Sequence, residues 1–357
     1  MVQLERLRAF MQTQGIPAIC VSDMNMVGWL TGFTGTYARV LVTPDDTRFI
    51  TDSRYTIQAA EEVPSMPVVS FASLVDGDQF LAEQAREMQI SRLGLEGSSI
   101  TYAQWQKLVE KLAGIELIPV NDLSHLRMVK TPGELANMRR ACGVADSAFG
   151  HILRMIQPGV TEIDICLDLE FFMRRQGADV AFPSIVVSGE RSARPHGKPS
   201  EKALEVGDFV TMDFGACVDG YNSDITRTVV VGDATERHRE VYGAVLEAQL
   251  AAIDALRAGR SAKEIDALAR EVLGRFDLAR YFGHGLGHGL GRVVHDAGRM
   301  NATSTDIIAP GQVWTVEPGV YIPDFGGVRI EDDVLITEDG IEILTSATKE
   351  LLVLPSK

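Results

Sequence analysis

The stretch MDFGACVDGYNSDITRT, residues 212–228, places Asp213 and Asp224 eleven residues apart (224 − 213) in apolar, β-branched surroundings. Between them, Val218-Asp219-Gly220-Tyr221-Asn222 has the composition of a turn. Two strands joined this way form a hairpin, which can bring two side chains together on one face. The pattern recurs. GDFVTMDFG (207–215) and GQVWTVEPG (311–319) share the order G-x-x-x-T-x-[DE]-x-G at a separation of 104 residues (311 − 207). Each is followed by a second strand with another carboxylate, Asp224 in YNSDITRTVVV (221–231) and Glu331 in GVRIEDDVLIT (327–337). Each is preceded by a helical pattern opening near Glu-Ile-Asp, TEIDICLDLEFFMRRQG (161–177) and SAKEIDALAREVLGRFD (261–277). Two copies predict a pseudo-symmetric pair of helix-and-hairpin units; a solenoid needs at least three.

Asp213, Asp224, Glu317 and Glu331 thus converge on one interior. Four carboxylates that close repel, and they protonate or move apart unless a cation is present. Two divalent ions carry the matching charge, which is the physical reason to expect a dinuclear site. HGLGHGLG (284–291) is the most glycine-dense stretch and carries two imidazoles, His284 and His288. It lacks the G-x-x-x-x-G-K-[ST] order of a phosphate cradle. Oxygen donors with one nitrogen favour Mn, Co or Zn over a thiolate-loving metal or Ca.

Outward from this half, residues 1–126 alternate short apolar strands (17–22, 38–44, 47–52, 67–71, 91–97) with amphipathic helices (3–14, 54–62, 74–89, 101–112), the pattern of a compact α/β domain. The second domain is expected over 127–357. It opens with Thr131-Pro132-Gly133-Glu134, an N-cap, a proline at the first helical position and a capping-box glutamate, so a long helix should follow.

The net charge of −15 argues against nucleic acid and anionic membranes as partners, since both reward a basic face. No stretch has the apolar length of a membrane span, and Glu5 and Arg6 interrupt any secretory leader, so a cytoplasmic location is expected. Cys20, Cys142, Cys166 and Cys217 share no C-x-x-C spacing and read as small buried hydrophobes in a reducing compartment.

With FPS (182–184), His196-Gly197, MDFGACVDGYNSDITRT, GHGLGHGLGRVVH (283–295), VEPGVYIP (316–323) and GGVRIEDDVLIT (326–337) on the page, residues 126–357 resemble the pita-bread metallopeptidases: prolidase, aminopeptidase P and methionine aminopeptidase. The N-terminal α/β domain and its ITDSRYTIQA (50–59) resemble the prolidase and aminopeptidase P branch. The resemblance implies a creatinase-like α/β domain followed by an α+β pita-bread catalytic domain. It implies that Asp213, Asp224, His288, Glu317 and Glu331 bind two divalent ions, Mn2+ first among Mn2+, Co2+ and Zn2+. It also implies that His196 and His295 line the substrate site, that His284 is a further pocket residue, and that Arg299 holds a substrate carboxylate. The family carries proline before that arginine, where this chain has Gly298.

The expected reaction is hydrolysis of the bond before proline in di- or oligopeptides. His196 and His295 would stabilise the oxyanion, and Glu317 would move the proton. Tyr321 and Arg329 are candidate substrate contacts, and Thr226 and Asp332 would orient ligands from behind. A homodimer is implied by the resemblance. Aminopeptidase P activity on longer peptides is the nearest alternative. A metal-free amidinohydrolase or a metal-free peptide- or protein-binding module would each be expected to have lost ligand positions.

Overall fold

The computed structural model describes residues 2–356. The chain divides into two compact units between Arg127 and Met128.

The first unit contains strands β1 (Ile19–Val21), β2 (Arg39–Val42), β3 (Thr47–Asp52), β4 (Val68–Phe71), β5 (Arg92–Glu96) and β6 (Glu116–Val120). Its helices are α1 (Val2–Gln14), α2 (Met24–Thr31), α3 (Thr56–Glu62), α4 (Gly77–Glu87) and α5 (Tyr102–Lys111). The six strands form one sheet in the order β4-β3-β2-β1-β5-β6. Because side chains alternate along a strand, Ile19, Val21, Val40, Val42 and Phe49 enter one core with Leu7, Met11, Met26 and Leu30. Cys20, Leu41 and Ile50 enter the other, with Leu81, Ala85 and Leu108. Two elements were not expected from sequence. MNMVGWLT forms α2, buried along Met26–Thr31, so it has no polar face to give a helical period. GluLeuIleProVal forms β6, where Pro119 is tolerated because the strand lies at the sheet edge.

The second unit opens with α6 (Pro132–Ile152), capped by the reciprocal Thr131–Glu134 box with Pro132 in its first turn. Helices α7 (Glu162–Arg175), α8 (Glu236–Ala255) and α9 (Ala262–Arg275) complete the helical set. The first repeat supplies β7 (Asp179–Val180), β8 (Ile185–Ser188), β9 (Phe209–Phe214), β10 (Ala216–Val218), β11 (Tyr221–Asn222) and β12 (Ile225–Val231). The second supplies β13 (Gly287–Gly289), β14 (Asp296–Met300), β15 (Val313–Val316), β16 (Gly319–Ile322), β17 (Gly326–Arg329), β18 (Asp332–Ile336) and β19 (Ile341–Ile343), and β20 (Val353–Leu354) follows.

In both repeats the expected hairpin forms, β9 with β12 and β15 with β18, and its tip folds into a second small hairpin, β10–β11 or β16–β17. Sheet β20-β12-β9-β8 packs on α6 and α7 through Met212, Phe214, Ile225, Ile152 and Leu169. Sheet β14-β13-β15-β18-β19 packs on α8 and α9 through Trp314, Val316, Val334, Val245 and Ile265. The carboxylates lie where these two halves meet.

Candidate metal centre and substrate pocket

Register places the acids. Asp213 pairs with Thr226 across β9 and β12, so Asp224, two residues before Thr226, lies on the same face diagonally from Asp213. Val316 pairs with Asp332 at the end of the β15–β18 ladder. One step further, Glu317 faces Glu331. His288 is delivered by β13, which runs between β14 and β15. The glycines beside it are required by close approach. A Cβ on Gly287 would lie 2.0 Å from the Thr315 carbonyl oxygen, and one on Gly289 would lie 1.8 Å from that of Ala297.

Ligand-capable atoms of Asp224, His288 and Glu331 all lie within 4.8 Å of one another. The His288 Nε2 is 3.6 Å from Asp224 Oδ2 and 3.4 Å from Glu317 Oε1. Asp213 stands beside this group, with its Oδ2 2.5 Å from the Arg329 guanidinium. Asp213 Oδ1 and Glu331 Oε1 are buried and accept no hydrogen bond among the described residues. A buried carboxylate oxygen without a donor is costly, and a cation satisfies it. The donors therefore fit a divalent centre.

The electrostatics agree. Burial, then Glu331 and Asp213, hold the Asp224 carboxyl well above its usual range. Burial, then Glu317 and Asp213, do the same to Glu331. Burial lifts Glu317 to about 8 against the opposing pull of Arg329. Burial also lowers His288 to about 3, so the imidazole is neutral, the form that binds metals. Its Nδ1 faces the Gly289 carbonyl at 3.0 Å, which leaves Nε2 towards the acids.

A cavity of about 300 Å³ opens on this centre. It is lined by all five candidate ligands and by His196, His284, His295, Arg299 and Arg329. The His295 ring lies 4.3 Å from that of His288. Phe182, Ile185 and Val294 supply apolar wall. Tyr321 does not line the cavity. Its hydroxyl links Arg329 Nη1 at 2.7 Å to His284 Nε2 at 2.9 Å. Arg299, on β14 opposite His288, donates from Nη1 to the carbonyls of Asp296 and Gly298. Gly298 has φ +99°, which proline, held near −65°, cannot adopt. The glycine in place of the family's proline thus sets a different backbone immediately before Arg299.

Behind the ligands, Thr226 Oγ1 donates to Glu331 Oε2 at 2.6 Å and accepts from Arg329 Nε at 3.0 Å. Asp332 points away from the centre, into a pairing with Arg227, Lys349, Gln249 and Thr345. The carboxylate that touches a candidate ligand's backbone is its neighbour Asp333, which accepts from Asp224 N–H and from the Cys142 thiol. Cys142 is therefore a buried donor as well as a small apolar filler. Thr315 was also missed: its hydroxyl donates to Glu317 at 3.3 Å and accepts from His288 N–H at 3.0 Å. The invariant threonine of the two G-x-x-x-T-x-[DE]-x-G signatures was the signal that could have found it.

Residues 136–338 match the family model for metallopeptidase family M24, and residues 3–129 match that for the creatinase/prolidase N-terminal domain. The chain belongs to metallopeptidase family M24. Its members carry a divalent-metal centre, and the M24 match spans every carboxylate and histidine placed above. The chain is 42% identical to an uncharacterized peptidase of Bacillus subtilis, over 99% of this chain and 100% of that one. It is 37% identical to an Xaa-Pro dipeptidase of Pyrococcus furiosus, over 98% and 99% of the two chains. Among solved structures, an Xaa-Pro dipeptidase from Bacillus anthracis matches with TM-score 0.95 at 42% identity, covering 99% of both chains. An X-Pro aminopeptidase from Thermotoga maritima matches with TM-score 0.90 at 35% identity, covering 95% of this chain and 98% of that one. No helix among the described residues is long and apolar enough to cross a membrane.

Proposed function

We propose that the chain is a dinuclear-metal Xaa-Pro dipeptidase with Mn2+ as its working ion. The observation that carries this reading is the set of four carboxylates and one neutral imidazole around a single cavity, with two buried carboxylate oxygens awaiting a cation. Asp213, Asp224, His288, Glu317 and Glu331 are the residues that would hold the ions. Bound there, two divalent ions supply an acidified water and a polarised carbonyl near neutral pH.

The chain's own groups do the rest. His295 and His196 reach the cavity with ring N–H donors for the oxyanion. Glu317, whose carboxylate lines the cavity beside the ions it would help hold, would take a proton and pass it to the leaving nitrogen of proline. Phe182, Ile185 and Val294 offer apolar wall to the pyrrolidine ring. Arg299 lines the cavity and keeps its Nε and Nη2 without a hydrogen-bond partner among the described residues, so these would be free to hold a substrate carboxylate as a fork. The cavity, at the small end of ligand pockets, suits two residues better than a longer peptide. A cytoplasmic homodimer completes the proposal; four free thiols support the reducing compartment.

The likeness to the Thermotoga maritima X-Pro aminopeptidase sustains a second reading, release of the N-terminal residue from longer peptides. Mn2+-reconstituted enzyme given Xaa-Pro and Xaa-Pro-Xaa separates them. Preferential cleavage of the dipeptide is expected, and preferential cleavage of the tripeptide would replace the first reading with the second. Absence of hydrolysis with Mn2+, Co2+ and Zn2+ would end both. Asp213→Ala or Glu331→Ala is expected to abolish turnover in a folded protein.

A further inference from the structure

The run Glu331-Asp332-Asp333 presents three consecutive carboxylates that the fold sends to three different tasks. Glu331 faces the cavity. Asp332 pairs with Arg227 on the other side of the strand. Asp333 is fully buried and touches neither the cavity nor a cationic side chain among the described residues. Its Oδ2 instead accepts the backbone N–H of Asp224 at 2.9 Å and the Cys142 Sγ–H at 3.3 Å.

We infer that Asp333 is a positioning residue for the metal centre, fixing the backbone of Asp224 so that its side chain meets His288 and Glu331. Asp224 lies between β11 and β12, outside the ladder, so no strand partner takes its N–H. Asp333 takes that place from the other repeat. It is itself held from three sides. Cys142 on α6 donates to its carboxylate, the Thr345 hydroxyl accepts its N–H at 3.3 Å, and the Leu344 N–H donates to its carbonyl at 2.8 Å. Through Asp333, the strand that delivers Glu331 also sets the loop that delivers Asp224, so the spacing of the two ligands is fixed by one rigid element. Groups that orient ligands from behind typically matter 10- to 100-fold for metal affinity.

The inference rests on the metallopeptidase reading, and its test separates the two. Mn2+ binding would be measured by titration calorimetry on full-length parent, Asp333→Ala and Asp333→Asn, with melting temperatures of the metal-free forms. Ala removes the acceptor and should weaken Mn2+ binding roughly 10- to 100-fold. Asn keeps an acceptor of the same reach and should stay within about threefold of parent, a rescue that a general packing role would not require. Equal Mn2+ affinity in parent and folded Asp333→Ala, or an Asn variant as weak as Ala, overturns the inference and leaves the metallopeptidase reading intact. A parent that binds no divalent ion overturns that reading instead. Hydrogen exchange at the Asp224 amide of the metal-free parent then decides the inference alone, as it also does if the Ala variant does not fold. Slow exchange at this position outside the ladder supports it, and exchange at the rate of a free loop amide overturns it.

Discussion

Arg329 and Asp213, one from each repeat, form a buried ion pair with Nη2 and Oδ2 2.5 Å apart. The same guanidinium reaches Thr226 and Tyr321, so one cation binds the two hairpins into a single wall of the centre. Its charge also opposes the effect of burial on Glu317 and Glu331 in the metal-free protein. Arg329→Met should destabilise the metal-free protein by about 3–5 kcal/mol, the usual cost of stripping one partner from a buried pair. Arg329→Lys keeps charge but loses the fork and should fall between the two. Urea unfolding of the metal-free forms checks this, and an unchanged midpoint in the Met variant would remove Arg329 from the role.

Arg227 is the other buried cation behind the centre. All five of its N–H groups have acceptors: Thr348 O at 3.0 Å, Thr226 O at 3.0 Å, Ala347 O at 2.7 Å, Asp332 Oδ1 at 2.8 Å, and the carbonyl oxygen of the candidate ligand Glu331. Arg227→Met takes one of two cations from the buried Asp332 carboxylate and a donor from four carbonyls, so a loss of about 3–5 kcal/mol is expected. Asp332 adds an acid limb. Burial opposes its charge, yet Arg227 and Lys349 hold its carboxyl below the usual range. A depressed folded-state value gives stability that is present above the ordinary carboxylate range and lost as pH falls through the folded value. Thermal melts between pH 5 and pH 2 should therefore decline less steeply in Asp332→Asn than in parent (about these limits).

Under the proposed function, Arg299 would distinguish substrates by their C-terminus. Arg299→Met should raise KM for Xaa-Pro roughly 10- to 100-fold, the worth of a charge-assisted hydrogen bond, with kcat changed far less. Xaa-Pro-amide, which has no carboxylate, should be cleaved equally by parent and variant. A parallel loss on the amide would mean that Arg299 supports the pocket and does not read the carboxylate.

Glu96 gives the N-terminal unit a pH dependence of the opposite sign. Burial lifts its carboxyl to about 7, even though the backbone N–H groups of Asp23 and Ser22 donate to it. A raised folded-state value means that the contribution is fully present below about 4.5 and is lost as pH rises through about 7. The change is of the order of 3 kcal/mol. Hydrogen exchange of the β1 and β5 amides, followed from pH 5 to pH 8 (roughly the window between these values), should show less protection at the alkaline end after correction for intrinsic rates. Glu96→Gln should flatten the profile, and an unchanged slope would assign the effect elsewhere.

Much of the centre was legible in the chain because it is built twice. A threonine, an acid and a glycine at fixed spacing, followed by a second strand with another acid, mark Asp213, Asp224, Glu317 and Glu331 whatever surrounds them. The Thr131–Glu134 capping box is equally local, since its partners are three residues apart. The period of a strand could also say that Asp332 faces away from Glu331. It could not say that Arg227, 105 residues earlier, waits on that side, or that Asp333 reaches across 109 residues to the Asp224 N–H. The α2 helix lacked a polar face because both the sheet and α1 cover it, which is a fact of packing. Hairpin register and glycine freedom are set by near neighbours, so the chain alone marks the candidate ligands. Burial and hydrogen-bond partners come from segments distant in the chain, so it is the packed fold that turns Glu331 to the cavity, Asp332 to Arg227 and Asp333 to the Asp224 N–H.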